Sequence, residues 1–120
     1  MLHRLLSLLG LAQTPAGEEP GRSPKWPAVR KAHLKAHPTC AACGGKDHLQ
    51  CHHIQPFHLF LELELIESNL LTLCESPGHN CHLTFGHAYD FQAWNPTAVE
   101  DATWWLARVQ SRLYGPEEPR

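Results

Sequence analysis

No stretch of this 120-residue chain approaches the roughly 20 consecutive apolar residues that span a bilayer as a helix, so no membrane span is expected. Charge of one sign is also missing. Ten Lys/Arg against twelve Asp/Glu leave a net charge of −2 with histidine neutral, which argues against a simple cationic nucleic-acid binder. There is no internal repeat, and only 18% of residues are charged while 42% are hydrophobic. With 8 Gly and 10 Pro, that balance suits a small, loop-rich globular domain better than a disordered chain. What is abundant is metal-ligating: 10 His and 5 Cys. A core this small usually needs staples, and His with Cys can supply metal ones.

The charge is unevenly spread. Residues 1–46 carry seven Lys/Arg against two Glu, and residues 47–120 carry ten Asp/Glu against three Arg. A basic first half can face a polyanion while the acidic remainder points away or holds cations; a solvated, uneven surface explains the charge equally well.

Three segments are expected. Residues 1–21 form an amphipathic helix, with Leu2, Leu5, Leu6 and Leu9 on one stripe, and a Pro/Gly/Glu-rich linker. The leucines after His3 and Arg4 also imitate a short signal peptide, with Thr14-Pro15-Ala16 as a poor cleavage site. The expectation is a cytoplasmic chain whose leading helix packs on the domain or on a partner, a second copy included; secretion is the lesser alternative. Residues 22–115 form the folded domain, and 116–120 a tail. Within the domain, Ser23-Pro24 reads as the start of a helix carrying Trp26, Val29 and Leu34 inward and ending at Pro38. Leu49–Ile54 and Leu70–Leu73 read as short strands. Phe57–Ile66 alternates Leu and Glu and fits either a half-buried strand or a structured loop. The region from Cys81 to about Phe91 reads as helical. Thr97 and Glu100 form a capping box for a last helix with Val99, Ala102, Leu106, Val109 and Leu113 on one stripe, closed by Gly115-Pro116.

Two constellations carry chemistry. Cys40-x-x-Cys43, backed by Gly44 and Gly45, places two thiolates on a tight turn where both can reach one tetrahedral Zn²⁺; Cys74 and Cys81 supply the other two, with His79 as a substitute. The alternatives are a redox pair, disulfides or buried free thiols, and no thioredoxin-like strand-to-helix context accompanies the motif. Cys51, the fifth, is expected as a buried thiol. The second constellation is His52-His53, Asn69, His82 and His87. Adjacent residues on a strand face opposite ways, so one histidine can ligate a metal while its neighbour addresses something else. A metal that neutralises phosphate charge and a free imidazole that activates water are complementary tools for phosphodiester hydrolysis. Scattered surface histidines are the bland alternative.

In their order and spacing, Pro38-Thr39-Cys40-Ala41-Ala42-Cys43-Gly44, His52-His53-Ile54-Gln55-Pro56, Ser68-Asn69-Leu70-Leu71-Thr72-Leu73-Cys74 and Asn80-Cys81-His82 resemble the HNH endonuclease family. The resemblance runs from about Arg22 to Pro96 and implies an α+β fold: a ββα-metal core with a structural zinc knuckle, flanked by N- and C-terminal helices. It implies His52 as first metal ligand, His53 as general base, Asn69 as the residue that pins the loop and helps orient the base, and His82 as second ligand. It implies structural Zn²⁺ on Cys40, Cys43, Cys74 and Cys81, and 5′-phosphate products. His87, five residues after His82, resembles a variant third ligand. On an ideal helix five residues rotate by about 500°, leaving the two side chains roughly 140° apart. His87 therefore joins the same ion only if the helix is distorted, which Gly86 permits. Asp90 is the rotational substitute.

The remaining expectations are weaker. Arg22, Lys25, Arg30, Lys31 and Lys35 can contact DNA phosphates, or simply line a solvated helix face. Trp26, Trp94, Trp104 and Trp105 are expected in the core rather than stacked on bases. His33, His37, His48 and His58 are expected at the surface or in minor structural roles; Glu62, Glu64 and Glu67 can be taken for a carboxylate metal site, but their separation from the histidine cluster favours a solvated loop. The reading that follows is a metal-dependent endonuclease acting on DNA, with one catalytic divalent ion (Mg²⁺, Mn²⁺, Ni²⁺ or Zn²⁺) besides the structural zinc. The alternatives are a non-catalytic zinc module that binds nucleic acid or protein, and a secreted, disulfide-stapled protein.

Overall fold

The described part of the chain, residues 21–114 of a computed structural model, enters its first helix through a proline-bounded turn. Helix α1 (Trp26–Ala36) has Pro27 in its first turn, where a missing N–H costs nothing. Ser23 does not cap it as expected. Its Oγ accepts the Lys25 N–H at 3.1 Å and closes a turn ahead of the helix instead. The helix stops before Pro38, with the His37 N–H on the His33 carbonyl at 2.8 Å. Its inner face departs from expectation. Trp26, Val29 and Leu34 are half-buried, and the one fully covered residue is His33. A buried imidazole is tolerated because its Nδ1–H donates to Glu67 at 2.8 Å.

Strands β1 (Leu49–His53) and β2 (Leu70–Cys74) lie within a residue of their predicted limits and pair antiparallel, Leu49 opposite Cys74 and His53 opposite Leu70. A two-stranded ribbon is marginal in water unless something covers it. Here Trp26 of α1 packs on the His53 ring, 4.6 Å between centroids, while a turn at His82–Gly86 lies against His52. The buried Thr72 hydroxyl donates to the His37 carbonyl at 2.8 Å and fastens β2 to the end of α1.

Phe57–Ile66 is a structured loop with a 3₁₀ turn at Leu61–Leu63, followed by a second at Glu67–Asn69. Its Leu/Glu alternation makes no strand because it pairs with neither edge of the ribbon. Glu64 corrects the expectation of a solvated loop. It is buried, and its carboxylate accepts the Ser23 N–H at 3.1 Å. The predicted helix from Cys81 to Phe91 is reduced to one π-helical turn, His82–Gly86.

Helix α2 (Ala98–Tyr114) is entered by a different cap from the one expected. Asp101, not Glu100, closes it, accepting from Asn95 Nδ2 at 2.8 Å and Thr97 Oγ1 at 3.1 Å. The buried stripe starts one residue earlier than predicted, at Ala98 and Ala102, and Val99 is 41% exposed. That face is small, so the indoles turn outward. Trp104 and Trp105 are exposed rather than core, with the Arg108 guanidinium 4.4 Å from the Trp104 ring; Trp26 and Trp94 are half-buried. The Leu113 side chain, the Gly115-Pro116 stop, the tail, and the leading helix and linker of residues 1–20 lie outside the described residues.

The architecture is α+β, and its centre is small: Cys40, Ala42, Leu73, Cys74, Cys81 and Ala102. Half of those residues are cysteines. Among the described residues Leu73 is the largest fully buried side chain, so Leu73→Ala is expected to cost about 2–5 kcal/mol in urea denaturation, since a packed site cannot close over the cavity. A loss below about 1 kcal/mol would show that the core carries little of the stability.

Candidate metal centres

The cysteine knuckle follows from local sequence. Gly44, at φ +77°, turns the chain sharply enough for its N–H to reach the Cys40 carbonyl at 2.9 Å. The turn aims backbone N–H groups at sulfur: Ala42 and Cys43 point at Cys40 Sγ at 3.4 and 3.5 Å, and Gly45 at Cys43 Sγ at 3.4 Å. The Sγ atoms of Cys40, Cys43, Cys74 and Cys81 all lie within 4.8 Å of one another. Cys43 and Cys74 are 3.8 Å apart. Tetrahedral Zn–S bonds of 2.3 Å place sulfurs about 3.8 Å from one another, whereas a disulfide needs about 2.05 Å. The group therefore fits a structural metal. Its protons tell the same story. The Cys81 thiol donates to Cys40 and, against burial, holds Cys40 down to about 4, which in turn pushes Cys81 strongly up. Burial pushes Cys43 up to about 11. Four sulfurs so placed cannot all ionise without a cation among them. Cys51 stands apart, half-buried, its thiol raised to about 11 by burial.

The second centre depends on the π turn. Its i→i+5 winding is wider than that of an α-helix, so His82 and His87 come onto one side despite their spacing. Tyr89, in the left-handed region at φ 72°, returns its N–H to the Leu83 carbonyl at 2.9 Å and closes the turn. His52 reaches the pair from β1. His82 Nε2 is 3.0 Å from His52 Nδ1 and 3.2 Å from His87 Nε2, close to the roughly 3.3 Å between tetrahedral Zn–N ligands. Asp90 is exposed and not part of the group.

Partners behind the rings set the tautomers. His82 Nδ1–H donates to the Glu75 carboxylate at 2.8 Å, and His87 Nδ1–H to the Ala93 carbonyl at 2.8 Å. Both Nε2 atoms then present lone pairs to each other with no hydrogen between them, an arrangement that a cation resolves. Burial, reinforced by the neighbouring His82 and His87, holds His52 down to about 3, and burial also lowers His82 against the pull of Glu75. His52 and His82 are therefore neutral and able to ligate at pH 7. Gly86 makes the approach possible: a Cβ there would stand 2.9 Å from the His52 ring.

His53 faces away from this triad. Its Nε2–H donates to the Glu64 carbonyl at 2.9 Å, so Nδ1 keeps its lone pair, and burial lowers its pKa against that hydrogen bond. The ring lies between Trp26 and Phe57, over both of which sits the Arg22 guanidinium, at 5.2 and 4.4 Å. Asn69 contacts the loop rather than the ring. Its Oδ1 accepts the Gln55 N–H at 2.8 Å, and its Nδ2 donates to the Gln55 and Leu63 carbonyls at 3.0 and 3.3 Å. Lys25, Lys31 and Lys35 are exposed, as is Arg22, while Arg30 is half-buried and donates to Gln50 at 3.3 Å.

Sequence reading missed Glu75 and Glu64. Glu75 directly follows Cys74 at the end of β2, a place from which a carboxylate can reach the next turn, but nothing in the local pattern marks it.

Metal removal separates the centres. Stripping the cysteine group with a chelator is expected to collapse the far-UV circular dichroism and expose four further reactive thiols; an unchanged spectrum would exclude a structural metal. Glu75→Gln and Gly86→Ala are each expected to weaken divalent-ion binding at the triad by about 10–100-fold in calorimetric titration, with the cysteine metal retained. Unaltered affinity in both would dismiss the triad as a metal site.

No family model matches the chain, and neither a curated protein nor a solved structure matches it.

Proposed function

We propose that this chain is a metal-dependent endonuclease that hydrolyses DNA phosphodiester bonds, built on a ββα-metal core of the HNH type with structural zinc on its four cysteines. One observation carries the reading. The tandem His52-His53 pair is split across the ribbon into a member of a histidine triad and a fixed imidazole with a free lone pair. A structural metal site has no use for the second.

In this reading His52, His82 and His87 would hold a divalent ion, which would supply charge neutralisation at the scissile phosphate and the leaving oxygen. His53 Nδ1 takes the proton of the attacking water. Burial keeps that imidazole neutral near pH 7, and the Glu64 carbonyl fixes which nitrogen is free. Asn69 is a positioning residue: by holding Leu63 and Gln55 it fixes the loop that carries the Glu64 carbonyl. Arg22, oriented by two aromatic rings beside His53, is best placed to meet a phosphate, with Lys25, Lys31 and Lys35 adding salt-sensitive attraction. The acidic second half opposes tight duplex binding, and the hydrogen bond of Glu75 to the neutral His82 cancels no charge. A thiolate metal site also accords with a reducing compartment such as the cytoplasm. Among the described residues no helix is long and apolar enough to cross a membrane.

The test is nicking of supercoiled plasmid at low salt with Mg²⁺, Mn²⁺, Ni²⁺ or EDTA. Wild type should relax the plasmid only with metal, leaving 5′-phosphate ends. His53→Ala should lose about 10²–10⁴-fold in rate while keeping its fold and its cysteine metal. Cleavage surviving in that variant would remove His53 as the base. No cleavage with any ion, by metal-loaded protein, would leave a non-catalytic metal module as the better account.

A further inference from the structure

Beyond the two centres, a third group of ligating side chains converges at the end of α1. His33 and His37 lie four residues apart, on the last turn and just past it, and so share a helix face. Both reach the same carboxylate oxygen of Glu67: His33 Nδ1 at 2.8 Å and His37 Nε2 at 3.4 Å. The two rings are 4.7 Å apart and tilted by 32°. One donor is rigid and two are reachable. The His33 side chain is 3% exposed, whereas those of His37 and Glu67 are 59% and 60% exposed.

We infer that His33, His37 and Glu67 form a third divalent-metal site, of the two-imidazole, one-carboxylate kind that takes Zn²⁺. All three donor atoms lie within 4.8 Å of one another. Tetrahedral Zn²⁺ with bonds near 2.0–2.1 Å sets its ligands about 3.3 Å apart, so the His37 contact already has the right length. The His33 contact opens by about half an ångström when the ring proton moves from Nδ1 to Nε2, which is buried without a partner, and Nδ1 ligates instead. Imidazoles favour Zn²⁺ over Mg²⁺, which prefers an all-oxygen shell. A hydrogen-bonded clamp accounts for His33 and Glu67, and His37 Nε2–H can also donate to the same oxygen, so metal binding is what separates the two readings. Three protein donors leave a fourth position for water or a small anion, and the three residues line a cleft of about 470 Å³ with Thr39, Leu70 and Thr72. The ion would join the end of α1 to the turn Glu67–Asn69, two residues ahead of Asn69.

The inference does not depend on hydrolysis, and its readout is binding. Full-length protein with its cysteine metal in place is titrated with Zn²⁺ at pH 7, following calorimetric stoichiometry and histidine ring ¹⁵N shifts. Wild type should bind one more equivalent than His37→Ala or Glu67→Gln, with the His33 and His37 ring nitrogens shifting together. Each variant should lose about tenfold or more in affinity for that equivalent alone. Glu67→Gln keeps an acceptor for His33, so a purely structural clamp would survive it with the stoichiometry unchanged. Equal stoichiometry in all three proteins, or ring nitrogens that do not respond to Zn²⁺, would overturn the site.

Discussion

Everything described here depends on four sulfurs being held together. Cys40 and Cys43 share the knuckle ahead of the ribbon, Cys74 ends the ribbon, and Cys81 precedes the π turn, so one bound ion would fix three separate stretches of chain. The apolar core around them is too small to do this alone, because three of its six buried members are those same cysteines. The gain is chiefly entropic. Closing the loops between the knuckle and the two later cysteines confines tens of residues that local propensity leaves unconstrained.

The histidine triad inherits its geometry from that staple. Cys74 is followed by Glu75, and Cys81 by His82, and it is Glu75 that orients His82. Two peptide bonds thus transmit the position of one centre to the other. The π turn then brings in His87, and the glycine at its end lets the His52 ring come close. The arrangement is rigid because each imidazole is gripped from behind, two of them by hydrogen bonds and His52 by packing alone.

Features that rest on neighbouring residues were legible in the sequence. The knuckle needs only Cys-x-x-Cys with glycines behind it, the ribbon only two short apolar runs, and the tandem histidines only strand alternation. What escaped depends on partners distant along the chain. Glu64 is buried because it meets the Ser23 N–H, 41 residues away, and His33 because it meets Glu67, 34 residues away. Helical periodicity also over-reached. It extended the Cys81 helix through residues that the left-handed Ala88 and Tyr89 turn aside, and it began the α2 stripe at Val99 instead of Ala98, though Ala102, Leu106 and Val109 lie on it as expected. For His87 the distortion that a shared ion requires is present, as a change of helix type rather than a frayed end.

One consequence lies in the pleat of β1. His52 and His53 are neighbours along the backbone yet belong to different environments, a polar cluster on one side and an aromatic slot on the other. A strand exchanges its faces with every single-residue shift of register. A one-residue slip of β1 against β2 would send each ring into the other's surroundings, so the pairing of Leu49 with Cys74 and His53 with Leu70 has no tolerated neighbouring alignment.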